Sequence, residues 1–462
     1  MESQTRQIAG FARNTSFKSI PKDCIDQLKR HLLDSIGSMI FARNHPTTRK
    51  IQESLLQLNG RKRFLPGSLS ADQAAQYYTG LIRFPDFMDN FLAKESSCHP
   101  GDNIGGLLAV AHLQEVSGRD FLTAMAVAYQ IECRLTEQLP VMTKGYDHTA
   151  LLAFSMTAAL SKILDLTLNQ TIYALGMAGC SFNPLVTSRA AYTSEWKGFA
   201  SSLVNAGCMN ITVLAKNDLT GPGLLFEVPD KGYNAIYGME LKYDWSKEGF
   251  DLIPRCILKS YNAEVHTQSA IAAMLELREQ YLFEPAEIKE IDVTTFLTAF
   301  HIAGGGGYGK RTNVYSKEQA DHSLPYVLAA ALLDGQVMPE QLTPERIKAD
   351  DVQALLQKVK VHTGTPLHKP FKIAGIMDRY TAEYPQQVGT TVTVTLTDGK
   401  SFSLEKKDYK GFFTNPFSWE DTIHKFRELS SARINEKRQD EIIAAVKHLE
   451  KTNITALLRL IR

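Results

Sequence analysis

From residue 103 to residue 216 the chain passes through one apolar, small-residue segment after another, and this succession most constrains its fold. Segments 103–117 and 119–137 are separated at Ser117-Gly118, and 148–164, 168–181 and about 195–216 follow. Each is long enough for a helix and rich in Ala, Leu or Gly. Small side chains let helices approach closely. A buried helical bundle is therefore expected.

Upstream, Pro21 suits a first helical position, and Ile25, Leu28, Leu32, Ile36, Met39 and Ile40 recur near a 3.6 period, which predicts a helix over 20–43. A second helix is expected over 47–58, ending at Gly60, and the Pro-Gly pair makes 61–69 a loop. Ser70 can cap a helix running to about Arg83, with Asp72 in its first turn.

The character changes near residue 255. IKEIDVTTF (288–296) and QKVKVHT (357–363) read as strands, and GTTVTVTLTDGKSFSLEKKDY (389–409) reads as a hairpin turning at Asp398-Gly399. A helix is expected over 321–334, and helices return from 418 to the end. A chain of 462 residues carries a prior of two or more domains. The fold class expected is mainly α, a large helical domain with an inserted smaller α+β lid domain. The expected divisions are 1–256 helical, 257–408 lid, and 409–462 rejoining the helical domain.

Lys+Arg 51 against Asp+Glu 50 leaves almost no net charge, which argues against a nucleic-acid surface or a polybasic membrane patch. The polar start MESQTRQIAGFARNTS lacks an apolar signal core, and the longest apolar runs are too short for a bilayer span. Six scattered cysteines without a CxxC argue against a zinc or iron–sulfur framework. They are expected as reduced thiols in a cytoplasmic protein, with no metal or cofactor.

Between the buried helices lies RFPDFMDNFLAKESSCHPGDNIGG (83–106), too polar and irregular for a core element. Polar groups held there are costly unless bonded or used, so Asp86, Asp89, Asn90 and His99 are site candidates. Each carboxylate or amide could equally be a helix cap. His148 heads a very apolar helix, where it is either a pH-tuned imidazole or a cap. Lys197 follows Trp196 on an otherwise apolar helix, either holding a carboxylate or snorkelling to solvent. KSYNAEVH (259–266) sets Lys259 and His266 at the change of domain, where clefts tend to lie. ADHSLPY (320–326) ends in Tyr326, a site donor or a core residue with a bonded hydroxyl. GGGGYGKR (304–311) nearly matches a phosphate loop, but Arg311 stands where a magnesium-binding hydroxyl is needed, so it reads as a glycine loop near a cleft.

These blocks, together with LLDSIGSMI (32–40), YDHTALLAFSMTAALSKILDL (146–166), EWKGFASSLVNAG (195–207), LTGP (219–222) and ADHSLPYVLAAALLDG (320–335), resemble the MmgE/PrpD family, which includes 2-methylcitrate dehydratase and cis-aconitate decarboxylase. The resemblance implies lyase chemistry on a small tricarboxylate by a homodimer without an iron–sulfur cluster. It places the family's functional positions on Asp86, His99, His148, Lys197, Lys259 and Tyr326. Two departures stand out. Asn90 takes a place that is threonine in many members, and Glu264 takes one that is histidine in the decarboxylases. His266, two residues on, matches the histidine of the wider family.

The expected reaction is dehydration of 2-methylcitrate or a related hydroxy-tricarboxylate. The alternatives are cis-aconitate decarboxylation, isomerisation or epimerisation of a related acid, and a member without catalysis. Elimination develops an aci-carboxylate dianion, which Lys197 and Lys259 are expected to stabilise, with Asn90 as a further binding residue. His99 or Tyr326 is expected to protonate the leaving hydroxyl and His148 or His266 to act as base. Asp86 is expected to orient a histidine or to act as base.

Overall fold

The computed structural model describes residues 2–189, 193–364 and 378–461. The chain divides into two units. The first comprises Met1–Ser188, Gly198–Ile257 and Phe417–Arg462, and the second Arg189–Lys197 and Leu258–Pro416. The structure is mainly helical. Among the described residues no helix is long and apolar enough to cross a membrane.

The first unit is the helical bundle. Its centre is the pair Gly118–Gln138 and Thr149–Ile163, the second of which is buried on all faces apart from Lys162. Around them pack Gln4–Asn14, Lys22–Ala42, Ala71–Arg83, Asp102–Ala109, Leu168–Ser181 and Ala200–Lys216. Close approach has a visible cause at Gly105, where a Cβ would stand 2.3 Å from the backbone nitrogen of Thr79. The helix Trp419–Ser430 lies along Lys22–Ala42. The chain end closes on the start of the central helix. Gly118 N donates to Thr452 O at 2.8 Å, and Ile454 N donates to Val116 O at 3.0 Å.

Several boundaries differ from the sequence reading. Pro21 occupies the cap position, and the helix begins at Lys22. The helix expected over 103–117 stops at Ala109 and tightens into a 3-10 turn at Val110–His112. There His112 Nδ1 bonds Leu69 O at 3.0 Å and its Nε2 bonds the Tyr78 hydroxyl at 3.0 Å, which fixes the chain in the turn. The helix expected from 195 begins only at Ala200, after a 3-10 turn at Glu195–Gly198. All six cysteines are free thiols.

Two short strands, β1 (Phe91–Leu92) and β2 (Ser97–Cys98), pair within the polar stretch. The second unit carries β3 (Ile288–Thr295), β4 (Val359–Thr363), β5 (Thr390–Leu396) and β6 (Ser401–Lys406) in the order β4-β3-β5-β6. β3 runs parallel to β4 and antiparallel to β5, and β5 and β6 form the expected hairpin, with Gly399 at φ 88° in the turn. Helices Gln268–Tyr281 and Leu324–Asp334 pack with the sheet around a separate core.

Candidate active site

Each unit carries its own buried polar cluster. Asp86, Asn90, His99 and His148 belong to the first, and Lys197, Lys259, His266 and Tyr326 to the second.

In the first unit the helix Ala71–Arg83 ends just ahead of Pro85, which cannot continue it. Asp86 then takes φ +56°, a left-handed conformation uncommon for a residue with a side chain. The turn is gripped by Arg83, a residue the sequence reading passed over. Arg83 Nη1 donates to Asp86 Oδ1 at 2.6 Å and Nη2 to His99 Nε2 at 3.0 Å, while Nε stands 3.7 Å from Asp102 Oδ1. Burial alone would lower the guanidinium pKa, but Asp86 and Asp102 hold it above its usual value. His99 Nδ1 lies 2.9 Å from the Asp89 carbonyl, which can only accept. The ring is therefore protonated at Nδ1 and accepts at Nε2, a neutral tautomer. The proton-donor role expected of His99 does not fit this arrangement, because its N–H is spent on Asp89.

Asp89 is an anchor. Its Oδ2 meets His31 Nδ1 and the Tyr129 hydroxyl, both at 2.6 Å, and its Oδ1 accepts from Gly101 N at 2.8 Å. Asn90 was expected to bind substrate, but its side chain donates to Met88 O at 3.3 Å and its backbone pairs with Ile257. His148 stands at the cap position of the helix Thr149–Ile163 without a side-chain capping bond, its ring centroid 5.1 Å from that of His99. Behind the turn, Asn103 Nδ2 bonds Pro100 O at 2.9 Å and Glu132 Oε2 at 2.6 Å. Burial, with Cys98 and Asp102 adding to it, pushes the Glu132 carboxyl well up. From the other side Lys425 Nζ donates to Phe87 O at 2.7 Å and pairs with Asp34 Oδ1 at 2.7 Å.

In the second unit, Lys197 sits in the 3-10 turn, its Nζ 3.0 Å from His322 Nδ1 and 3.5 Å from Asp321 Oδ1. His322 Nδ1 is 2.6 Å from that same Asp321 oxygen, and Lys317 Nζ is 3.0 Å from Asp321 Oδ2. Burial works against the Asp321 carboxylate, yet Lys197, Lys317 and His322 hold it far below the usual range. The pair Asp321-His322 was missed in sequence, where the same heptapeptide drew attention to Tyr326. That tyrosine is fully buried in the second core, its hydroxyl donating to Gln341 O. Here the structure corrects the sequence reading: Tyr326 is the bonded core residue, and burial pushes its hydroxyl well up.

Glu264 caps the turn Val265–Thr267 through its Oε2, which accepts from His266 N at 2.8 Å. Its Oε1 stands 2.7 Å from His266 Nδ1, and His266 Nε2 lies 3.0 Å from the Tyr384 hydroxyl. Burial would raise the Glu264 carboxyl, but His266, His322 and Lys259 bring it down to about 2. The backbone ties both acids together, since Glu264 N donates to Asp321 O at 2.7 Å. The second unit thus gathers two carboxylate–imidazole pairs and buried cations, a combination suited to proton transfer beside bound carboxylates.

Two family matches run along most of the chain. The MmgE/PrpD N-terminal domain matches residues 6–244, and the MmgE/PrpD C-terminal domain matches residues 261–451. The chain is 26% identical over 402 residues to the 2-methylcitrate dehydratase of Salmonella typhi, covering 82% of this chain and 80% of that protein. It is 28% identical over 337 residues to the mitochondrial 2-methylcitrate dehydratase of Yarrowia lipolytica, covering 69% and 62%. It is 23% identical over 501 aligned positions to the cis-aconitate decarboxylase of Mus musculus, covering 100% and 94%.

Proposed function

This chain belongs to the MmgE/PrpD family, and we propose that it is a hydro-lyase that dehydrates 2-methylcitrate or a closely related hydroxy-tricarboxylate. The observation that carries the mechanism is the Asp321–His322 contact of 2.6 Å, with the Lys197 ammonium 3.5 Å from the same Asp321 oxygen. A carboxylate kept ionised next to an imidazole fixes its tautomer and stabilises the imidazolium that forms when it takes a proton. The shorter contact favours Nδ1–H toward Asp321, which makes Nε2 the basic nitrogen.

In this reading His322 removes the proton alpha to a substrate carboxylate. The C–H and C–O bonds break, the C=C bond forms, and the proton and hydroxide leave as water. Lys197 and Lys259 hold carboxylates and stabilise the aci-carboxylate dianion as it develops. His266 is a bracing residue, because both its ring nitrogens already bond protein groups, Nδ1 to Glu264 and Nε2 to Tyr384. Asp86 is read as the group that fixes Arg83, since a carboxylate 2.6 Å from a guanidinium makes a poor base. In keeping with the resemblance, the active form is read as a cytoplasmic homodimer.

The test is to offer the purified protein 2-methylcitrate, citrate and cis-aconitate, following absorbance of the unsaturated product alongside CO2 release. Turnover of 2-methylcitrate without CO2 is expected. CO2 release from cis-aconitate would move the chain to decarboxylation, and no turnover of any of the three acids would remove the lyase reading.

A further inference from the structure

The glycine loop GGGGYGKR (304–311) has no part in the chemistry above, yet it ends in a buried cation. Arg311 is 6% exposed. Its Nε donates to Ile302 O at 2.8 Å, and its Nη2 is buried with no hydrogen-bond partner among the described residues. No carboxylate of the described residues forms an ion pair with it. Glu264, Asp321 and Tyr308 act on its charge, and the first two belong to the second unit's polar cluster. The two acids are already engaged, Glu264 by His266 and Asp321 by His322 and Lys317.

The loop is built to hold this side chain in place. Gly305 and Gly309 take φ of 99° and 93°, which a residue with a Cβ resists. Gly307 N donates to His301 Nδ1 at 2.8 Å, and Ser323 Oγ donates to the Arg311 carbonyl. Ser323 also caps the helix Leu324–Asp334, immediately after Asp321 and His322. A buried guanidinium with an unused N–H is costly by itself, and an anion that accepts from it removes that cost.

We propose that Arg311 is a substrate-binding residue whose free Nη2 anchors the central carboxylate of the polycarboxylate substrate, and that the glycine loop exists to deliver it. This rests on the reading of the substrate as a polycarboxylic acid. It also gives a physical reason for the missing hydroxyl of the phosphate-loop pattern, since the position holds an anion through a guanidinium without a metal.

The experiment separates this from the reaction assigned above. Tricarballylate, a tricarboxylate with no hydroxyl to eliminate, and glutarate, which lacks the central carboxylate, are titrated calorimetrically into the wild-type chain, R311Q and R311K. The wild type is expected to prefer tricarballylate by roughly 10- to 100-fold, the range for a charge-assisted hydrogen bond. That preference is expected to fall close to one in R311Q and to shrink in R311K, which keeps the charge without the planar fork. A bracing role alone would weaken both acids alike. An unchanged preference in R311Q, or in R311K should R311Q not fold, overturns the anchor, as does a wild-type chain that prefers neither acid. Turnover of 2-methylcitrate with an unchanged preference removes the anchor and leaves the reaction. Arg311-dependent binding without turnover removes the reaction and leaves the anchor.

Discussion

Replacing Lys425 by Met tests how the first unit holds its strained turn. Lys425 Nζ lies 2.7 Å from Asp34 Oδ1, 2.7 Å from Phe87 O and 3.8 Å from the centre of the Phe87 ring. Burial raises the Asp34 carboxyl and lowers the Lys425 ammonium, so desolvation outweighs pairing on both sides. Lys425→Met strands a carboxylate that is 0% exposed, and the expected loss is ~3–5 kcal/mol. Exchanging both partners, Asp34→Leu with Lys425→Met, is expected to recover most of it. What stays lost is the donor to Phe87 O, about 1–3 kcal/mol.

Activity should divide differently. The turn around Asp86 loses the same clamp in the single and the double variant, so any kcat/KM that the single variant loses the double should lose as well. The measurements are urea denaturation followed by the fluorescence of Trp245 and Trp419, both in the first unit, and steady-state kinetics on the same preparations. The deficit of the single variant has a pH signature. A carboxyl whose folded pKa is raised stabilises the fold at low pH and loses that contribution as pH rises through the folded value. Lowering the pH should therefore shrink the gap between Lys425→Met and wild type. A double variant that regains activity along with stability would refute the clamp, and a single variant costing under ~1 kcal/mol would refute the stranded charge.

His322→Asn is expected to lower kcat by ~10²–10⁴-fold while tricarballylate still binds; unaltered kcat would move the base elsewhere. Tyr326→Phe should leave kcat unchanged and cost about 1–3 kcal/mol, because the Gln341 carbonyl loses its donor; a fall in kcat beyond ~10-fold, or ~1.4 kcal/mol of barrier, would return this tyrosine to the site. Glu264 is held at about 2 against an ordinary 4.5. Its contribution of ~3 kcal/mol is complete above the unfolded value and is lost as the pH falls from the one value to the other. The stability gap between wild type and Glu264→Gln should therefore close across that interval in acid denaturation, and a gap constant with pH would contradict the Glu264–His266 pairing.

What could be read from sequence was what repeats locally. The 3.6 period over Ile25–Ile40, the alternation of IKEIDVTT and the Asp398-Gly399 turn gave elements close to those observed. The amphipathic helix Gln4–Asn14 was missed because its polar face dominates a short segment. Lys197 was legible as a cation among apolar residues, though Gly198 and Phe199 place it in a turn ahead of the helix. Arg83 was not legible, since an arginine in a last helical turn ordinarily complements the helix dipole. A weak signal did exist in its spacing, three residues before the aspartate of a polar island. Lys425 gave no signal, because its partner carbonyl at Phe87 is 338 positions away. Tyr326 drew attention as a chemically competent residue, while the apolar run that follows it pointed to a core.

The discontinuous course of the first unit has a consequence for how the protein is made. Asp86 and Phe87 leave the ribosome early, but the lysine that holds their turn is translated only after Leu258–Pro416 has been completed. The strand of chain that seals Val116 and Gly118, at Thr452 and Ile454, comes later still. A nascent chain therefore carries an unfinished first unit until the residues beyond Pro416 have been made. A product truncated ahead of Lys425 lacks the residue that sets the turn.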